Sequence, residues 1–179
     1  MSQSDVQVLD EPAASPFLDS VELTESVLRN AYGHFPSGVI ALCGVVDGGP
    51  VGIAASSFTS VSITPALVSV CVADSSTTWP LLRSAGRLGV SVLAEHHGET
   101  ARALAAKKDD RFAGIEWIAD RSDAVFIGGA SLWLDCVLDA EIPAGDHRIV
   151  LLRIERMLAR PGVSPIVFHG SRFRALAEE

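Results

Sequence analysis

Between residues 130 and 142 the sequence ASLWLDCVLDAEI sets Leu132, Leu134, Cys136 and Leu138 against Trp133, Asp135, Val137 and Asp139. A period of two belongs to a strand with one buried face and cannot sit on a helix. Gly145 and Asp146 follow, residues that tolerate or cap the unusual backbone angles of a tight turn. A second apolar run, HRIVLLRIERML at 147–158, then reads as another strand. It exceeds the mean strand length of about 5–6 residues, as strands that curl around a barrel often do.

The remaining chain follows the same habit. Val39 to Val46 reads as a short strand closed by the turn Asp47–Pro50, and residues 51–62 have strand character throughout. ALVSVCVA at 66–73 is β-branched and apolar, as expected of a strand buried on both faces. RLGVSVLA is a further strand, and PIVFHG with RFRAL closes the chain as a hairpin-like pair. Helices are expected over SVELTESVLRNAYGHF, with Ser20 as N-cap, from Pro80 to Gly86, and over HGETARALAAKKD. Short strands with hairpin-scale turns predict a mainly β protein, a barrel with a few short helices, over a doubly wound sheet. Residues 1–19 are rich in Ser, Asp, Glu and Pro and read as a flexible tail, leaving 20–179 as one domain.

Charge and cysteine content exclude several classes. The 179 residues carry a formal net charge of -8, and the 14 basic residues form no stripe, which argues against nucleic acid. Arg153, Arg156 and Arg160 gather, but Glu155 interrupts them. No apolar run approaches the ~20 residues that span a bilayer, and the N-terminus lacks the pattern of a signal peptide. Cys43, Cys71 and Cys136 lie scattered in apolar stretches. They fit buried, reduced thiols of a cytoplasmic protein better than disulfides or a zinc site. His34, His96 and His97 have no ligand-like spacing, so no metal is expected. The GxGxxG, P-loop, HExxH and GxSxG patterns are missing.

Two hydroxyl-rich stretches stand out. GIAASSFTSVSITP, 52–65, sets small Ala54 and Ala55 beside Ser56 and Ser57, so a flat ligand can approach the backbone. Composition alone favours a solvated edge strand there. DSSTTW, 74–79, ends a buried strand and precedes a helix, where backbone N–H groups can hold a phosphate or hydroxyls can simply cap the helix. In KKDDRF, 107–112, Lys107 and Lys108 suit a helix C-terminus and Arg111 can reach an anion, although most such runs are solvated faces.

The order of motifs adds a resemblance. FPSGV (35–39), AASSFTSVS (54–62), SVCVADSSTT (69–78), GVSVLA (89–94), DRFAGIEW (110–117), GGASLWLDCVL (128–138), GDHRIVLLRIE (145–155) and FHGSRFRAL (168–176) occur in series. This series resembles the flavin reductase-like family, the small reductase components of two-component flavin-dependent monooxygenases. The resemblance spans about residues 22–176. It implies an FMN-binding split β-barrel, a homodimer with FMN or FAD at the subunit interface, and NADH or NADPH as hydride donor. Reduced flavin would then diffuse to an oxygenase partner. By position, Ala54, Ala55, Ser56 and Ser57 would line the isoalloxazine, and Asp74, Ser75, Ser76 and Thr77 the ribityl and phosphate groups. Lys108, Arg111 and Phe112 would close over the flavin tail, Arg172 and Phe173 would sit close to flavin or nicotinamide, and His147 would face the nicotinamide. The chain departs from the family pattern with Ser56 for a common Asn, Phe168 for Tyr, and Gly170 for a basic residue. Two other functions use the same features: reduction of another acceptor such as a cobalamin precursor, and a non-enzymatic flavin-binding module. The GDH motif at 145–147 weighs against the pure binder, which needs no nicotinamide pocket.

Overall fold

The computed structural model describes residues 21–108 and 110–177; the expected tail and Ser20 lie outside them. In chain order the elements are α1 (Glu25–Tyr32), β1 (Ser37–Gly38), β2 (Ile40–Val46), β3 (Gly49–Ala55), β4 (Thr59–Ser62) and β5 (Leu67–Ala73). Then come α2 (Trp79–Ser84), β6 (Leu88–Val92), α3 (Gly98–Ala105), β7 (Trp117–Ala119) and β8 (Val125–Ile127). The long strands β9 (Leu132–Ala144) and β10 (His147–Ala159) and the short β11 (Val167–His169) and β12 (Arg172–Arg174) complete the chain.

Seven strands form one antiparallel sheet in the order β3, β2, β6, β9, β10, β5, β4. Its two edges, β3 and β4, are consecutive in sequence and joined only by residues 56–58. The four Cα–Cα steps from Ala55 to Thr59 reach at most about 14 Å, so the two edges are drawn close and the sheet curls into a barrel. Register shifts between β9 and β10 at Leu151/Leu152 and Ile154/Arg156 bend the longest pair in the same sense. Ser57 sits at the seam: its hydroxyl donates to the Cys71 carbonyl and accepts from the Cys71 amide, at 3.1 and 2.9 Å. Smaller sheets, β1–β11–β12 and β7–β8, pack outside the barrel.

Alternation along β2 explains its unbroken apolar run. Ile40 and Leu42 point into the barrel with Val70, Val90, Leu134, Val150 and Leu152. Ala41 and Cys43 point outward, under α3 and β8, with Leu93, Leu104, Val125 and Ile127. The strand is therefore buried on both faces. Gly89 in β6 makes the close approach of β8 possible, since a Cβ there would lie 2.1 Å from the Val125 carbonyl oxygen.

Several expectations need correction. The strand read over 51–62 breaks at 56–58 to close the barrel. β5 is not buried on both faces, because Cys71 is exposed; the thiols of Cys43 and Cys136 are buried. Burial pushes the Cys136 thiol up to about 12 and raises that of Cys43 further. Helix α1 begins at Glu25 under a Thr24 cap, and β1, β7 and β8 carry too few residues to show a period.

His97 is buried and its Nδ1 accepts from the Ala94 amide at 3.0 Å, fixing the turn that launches α3. That bond requires the neutral ring. Burial, then the neighbouring His96, lowers its pKa from the ordinary value near 6.5. Below that value the unfolded chain binds the proton more readily than the folded one, so stability is lost as pH falls through this window. Urea midpoints measured at pH 7.5 and 5.5 should fall more for the wild type than for His97→Gln; equal slopes refute the assignment. A second expectation concerns Gly89. Gly89→Ala should destabilise by about 1–3 kcal/mol or more, whereas Gly86→Ala, with open space around its Cβ, should stay near neutral in the same denaturation series.

Candidate functional site

At the barrel seam, the C-terminal end of β3 lies across from the C-terminal end of β5, and a cavity of about 500 Å³ opens between them. Ala54 and Ala55 form one wall and Cys71, Val72 and Ala73 another. The loop Ser75–Thr78 closes one end, and Leu104, Ala105, Lys107, Lys108 and Arg111 close the other. Small side chains on β3 leave its backbone approachable.

Positions of the expected residues follow from these elements. Ala54, Ala55, Ser75, Ser76, Thr77, Lys108 and Arg111 come together in this one cavity. Ser56 lies on an adjoining hollow of about 120 Å³ with Ala54, Ala55, Phe168 and Phe173. There Phe173 packs on Phe168 with ring centroids 5.6 Å apart, and the Arg102 guanidinium sits 5.0 Å from the Phe173 ring. Lys108, Arg111 and Phe112 also line a second cavity of about 420 Å³. Phe112 is nearly buried beneath it, edge-on to Trp117.

Four expected residues lie outside these cavities. The Ser57 hydroxyl is committed to Cys71, as described for the seam. Asp74 Oδ1 accepts from both Nε and Nη2 of Arg148, at 2.9 and 2.6 Å. Arg172 is exposed on the β11–β12 hairpin. His147 pairs across the sheet with Ala73, and Ile149 with Cys71. Directly opposed side chains share a face, so His147 stands on the face that carries the cavity wall, just past its end. Its Nδ1 lies 2.7 Å from Asp146 Oδ1, and that partner, ahead of the charge on the ring, lowers the Asp146 pKa.

The loop at 74–78 is held at both ends. Arg148 grips Asp74 and also reaches Glu141. Glu141 accepts from the Trp79 indole at 2.8 Å and pairs with Arg83 of α2. Ser76 caps the helix by accepting from the Trp79 amide. Helix α2 has only six residues, so the anion-attracting charge comes from the opposite wall. Among the described residues no carboxylate pairs with Lys107, Lys108 or Arg111. Arg111 instead donates to the carbonyls of Gly52 and Leu104, at 3.3 and 3.4 Å, which fixes the guanidinium and leaves further N–H groups for a ligand.

The donor set fits a planar, phosphate-bearing group. Small residues offer a flat approach, hydroxyls and backbone ends offer hydrogen bonds, and three cations with no acidic partner among the described residues offer a place for phosphate. Lys107, Cys71, Thr78 and Arg148 were not among the site residues expected from sequence. Lys107 stands in the same charged run as Lys108, and Arg148 directly follows the GDH motif. No described helix is long and apolar enough to cross a membrane, and no three described His, Cys, Asp or Glu side chains cluster as metal ligands.

Comparison with known proteins agrees with this geometry. The model of the flavin reductase like domain matches residues 32–177. The actinorhodin polyketide dimerase of Streptomyces coelicolor is 37% identical over 153 residues, covering 85% of this chain and 86% of that protein. A flavin reductase of Pseudomonas putida is 33% identical over 150 residues, covering 83% and 88%. The solved NADH:FAD oxidoreductase SgcE6 of Streptomyces globisporus, in complex with NAD and FAD fragments, superposes with a TM-score of 0.82. It is 33% identical, with 89% of this chain and 98% of that one covered. The split-barrel architecture is shared, and the chain belongs to the flavin reductase-like domain family.

Proposed function

We propose that the chain is an NAD(P)H:flavin oxidoreductase that reduces FMN or FAD and supplies the reduced flavin to a separate monooxygenase. The observation that carries this reading is the cationic wall, with no carboxylate partner among the described residues, facing small-residue strand ends at the barrel seam. Relatives named as flavin reductase and as monooxygenase reductase subunit, the latter from Mycobacterium tuberculosis at 29% identity, support it. When bound, flavin and nicotinamide supply the hydride chemistry themselves.

The protein's tasks are then to bind, orient and exclude water. Lys108 and Arg111 hold the flavin phosphate, and Ser75, Ser76 and Thr77 face it from the other side. Ala54 and Ala55 admit the ring against the backbone, with Ser56 and Phe173 at its margin. Asp74 supports the phosphate loop through Arg148 and touches no ligand. Phe112 packs under the closing segment. His147 faces the nicotinamide, its ring oriented by Asp146; Arg172, exposed on the hairpin, meets flavin or nicotinamide. Alignment of two bound rings removes entropy from the barrier, and hydride transfer needs no acid from His147. A second copy of the chain completes the site: exposed Val61, Ile63 and Ile142 support a homodimer. The domain comprises residues 20–179 and acts in the cytoplasm.

Purified protein with FMN or FAD should oxidise NADH or NADPH measurably faster than a flavin-only control. No flavin-dependent oxidation with either nucleotide would sink the reading. Among variants, Arg111→Met should raise the flavin Kd about tenfold, in line with loss of a charged hydrogen bond. His147→Ala should raise the apparent KM for NAD(P)H about tenfold while the flavin Kd stays within about twofold. Collapse of flavin affinity in His147→Ala would make the histidine a flavin or scaffold residue.

A further inference from the structure

Both ends of the loop at 74–78 converge on one carboxylate. At its start, Asp74 is held by Arg148, whose Nη1 also donates to Glu141 Oε1 at 3.4 Å. At its end, the Trp79 indole donates to the same Oε1 at 2.8 Å, and Glu141 Oε2 pairs with Arg83 of α2 at 2.7 Å. The Glu141 side chain is only 11% exposed. Glu141 stands opposite Val150 in the β9–β10 ladder, on the face that fills the barrel. Trp79 and Leu82 belong to the same core, so α2 plugs the barrel and Glu141 ties the plug to β9. A plug alone needs no charge, since well-packed apolar residues close such a space without the cost of desolvating a carboxylate.

Resting on the flavin reading above, we propose that Glu141 is a positioning residue that couples the flavin phosphate to the nicotinamide site while touching neither ligand. A phosphate held by Ser75, Ser76 and Thr77 orders the loop and, with it, Asp74. Asp74 then holds Nε and Nη2 of Arg148 while Glu141 holds Nη1, so the guanidinium is fixed between two carboxylates. His147 is the preceding residue of the same strand. The backbones are joined as well, because the Asp74 amide donates to the Asp146 carbonyl at 3.0 Å, one residue before His147. Ordering the loop therefore lowers the cost of ordering His147, and by linkage the effect is reciprocal. Direct contact between two bound rings would couple them without any phosphate. Comparing FMN with riboflavin, which has the ring and ribityl chain but no phosphate, separates the two routes.

Steady-state oxidation of NADH or NADPH by the full chain, extrapolated to saturating flavin, provides the test. The KM for the nucleotide should be about fivefold lower with FMN than with riboflavin. Glu141→Gln keeps the size of the side chain and a carbonyl for the Trp79 indole but removes the charge that holds Arg148. It should bring the ratio below about twofold, through a rise in the KM measured with FMN, while thermal melting shows the chain folded. Arg148→Met should erase the same ratio, and the double variant should lose no more than either single one, as expected of residues acting in one path. A ratio that both variants leave unchanged overturns the proposal, as do losses that add in the double variant. Equal KM values with the two flavins in the wild type overturn it too. Oxidation with neither flavin would instead remove the flavin reading itself, and this proposal with it.

Discussion

The hydroxyl of Ser57 bonds both the amide and the carbonyl of Cys71, and the site depends on the closure this stitch secures. A seven-stranded sheet with open edges would expose unpaired backbone groups at β3 and β4. Joining those edges through residues 56–58 brings the end of β3 opposite the end of β5, with a gap between them instead of a ladder. The cavity is that gap. Its walls are strand ends already fixed by the core, so the binding surface is preorganised by the barrel rather than by its loops. Helix α3, set by the His97 turn, then delivers Lys107, Lys108 and Arg111 to the open side.

Electrostatics divides the molecule into two regimes. Most acids near the barrel are spent on arginines. Asp135, almost fully buried, holds Arg87 and Arg156, and Asp120 shares Arg156. Glu141 serves Trp79, Arg83 and Arg148 at once. Buried carboxylates need such partners, because an uncompensated charge costs several kcal/mol. At the seam, Lys107, Lys108 and Arg111 have no carboxylate partner among the described residues. A chain with a net charge of -8 thus presents a local positive wall, and an anionic ligand is held by the site rather than by the overall field.

Much of this was legible in the sequence, and the limits have physical causes. β9 and β10 announce themselves because one buried face imposes a strict alternation over many residues. The split-barrel fold was reached through eight ordered motifs, and seven of the fifteen cavity-lining residues were candidates from sequence, since some of those motifs fix strand ends or turns next to the cavity. What stayed hidden depends on contacts distant in sequence. Cys71 sits in an apolar run that gives no sign of the face left open by the barrel gap. The break at 56–58 is a consequence of closure, not of local preference. β7 and β8, three residues each, are too short to show a period. Asp74 was grouped with the phosphate residues by position alone, whereas its partner Arg148 lies 74 residues away.

The stretch Gly145–Arg148 shows how a strand period organises such a site. Gly145, at φ +67°, makes the turn, and Asp146 leaves it beside the next ring. From there neighbouring side chains alternate between faces. His147 therefore stands on the cavity face beside Ala73, while Arg148 turns to the opposite face, where Asp74 and Glu141 wait. One residue addresses the ligand side and the next clamps the loop that shapes the ligand side. Their adjacency is a geometric necessity: a single strand step is the shortest way to serve both faces of the same wall. Displacing the register by one residue would exchange the two roles, burying the imidazole against Glu141 and pointing the guanidinium at the cavity. The ion pair of Arg148 with Asp74 thus helps set the register that aims His147.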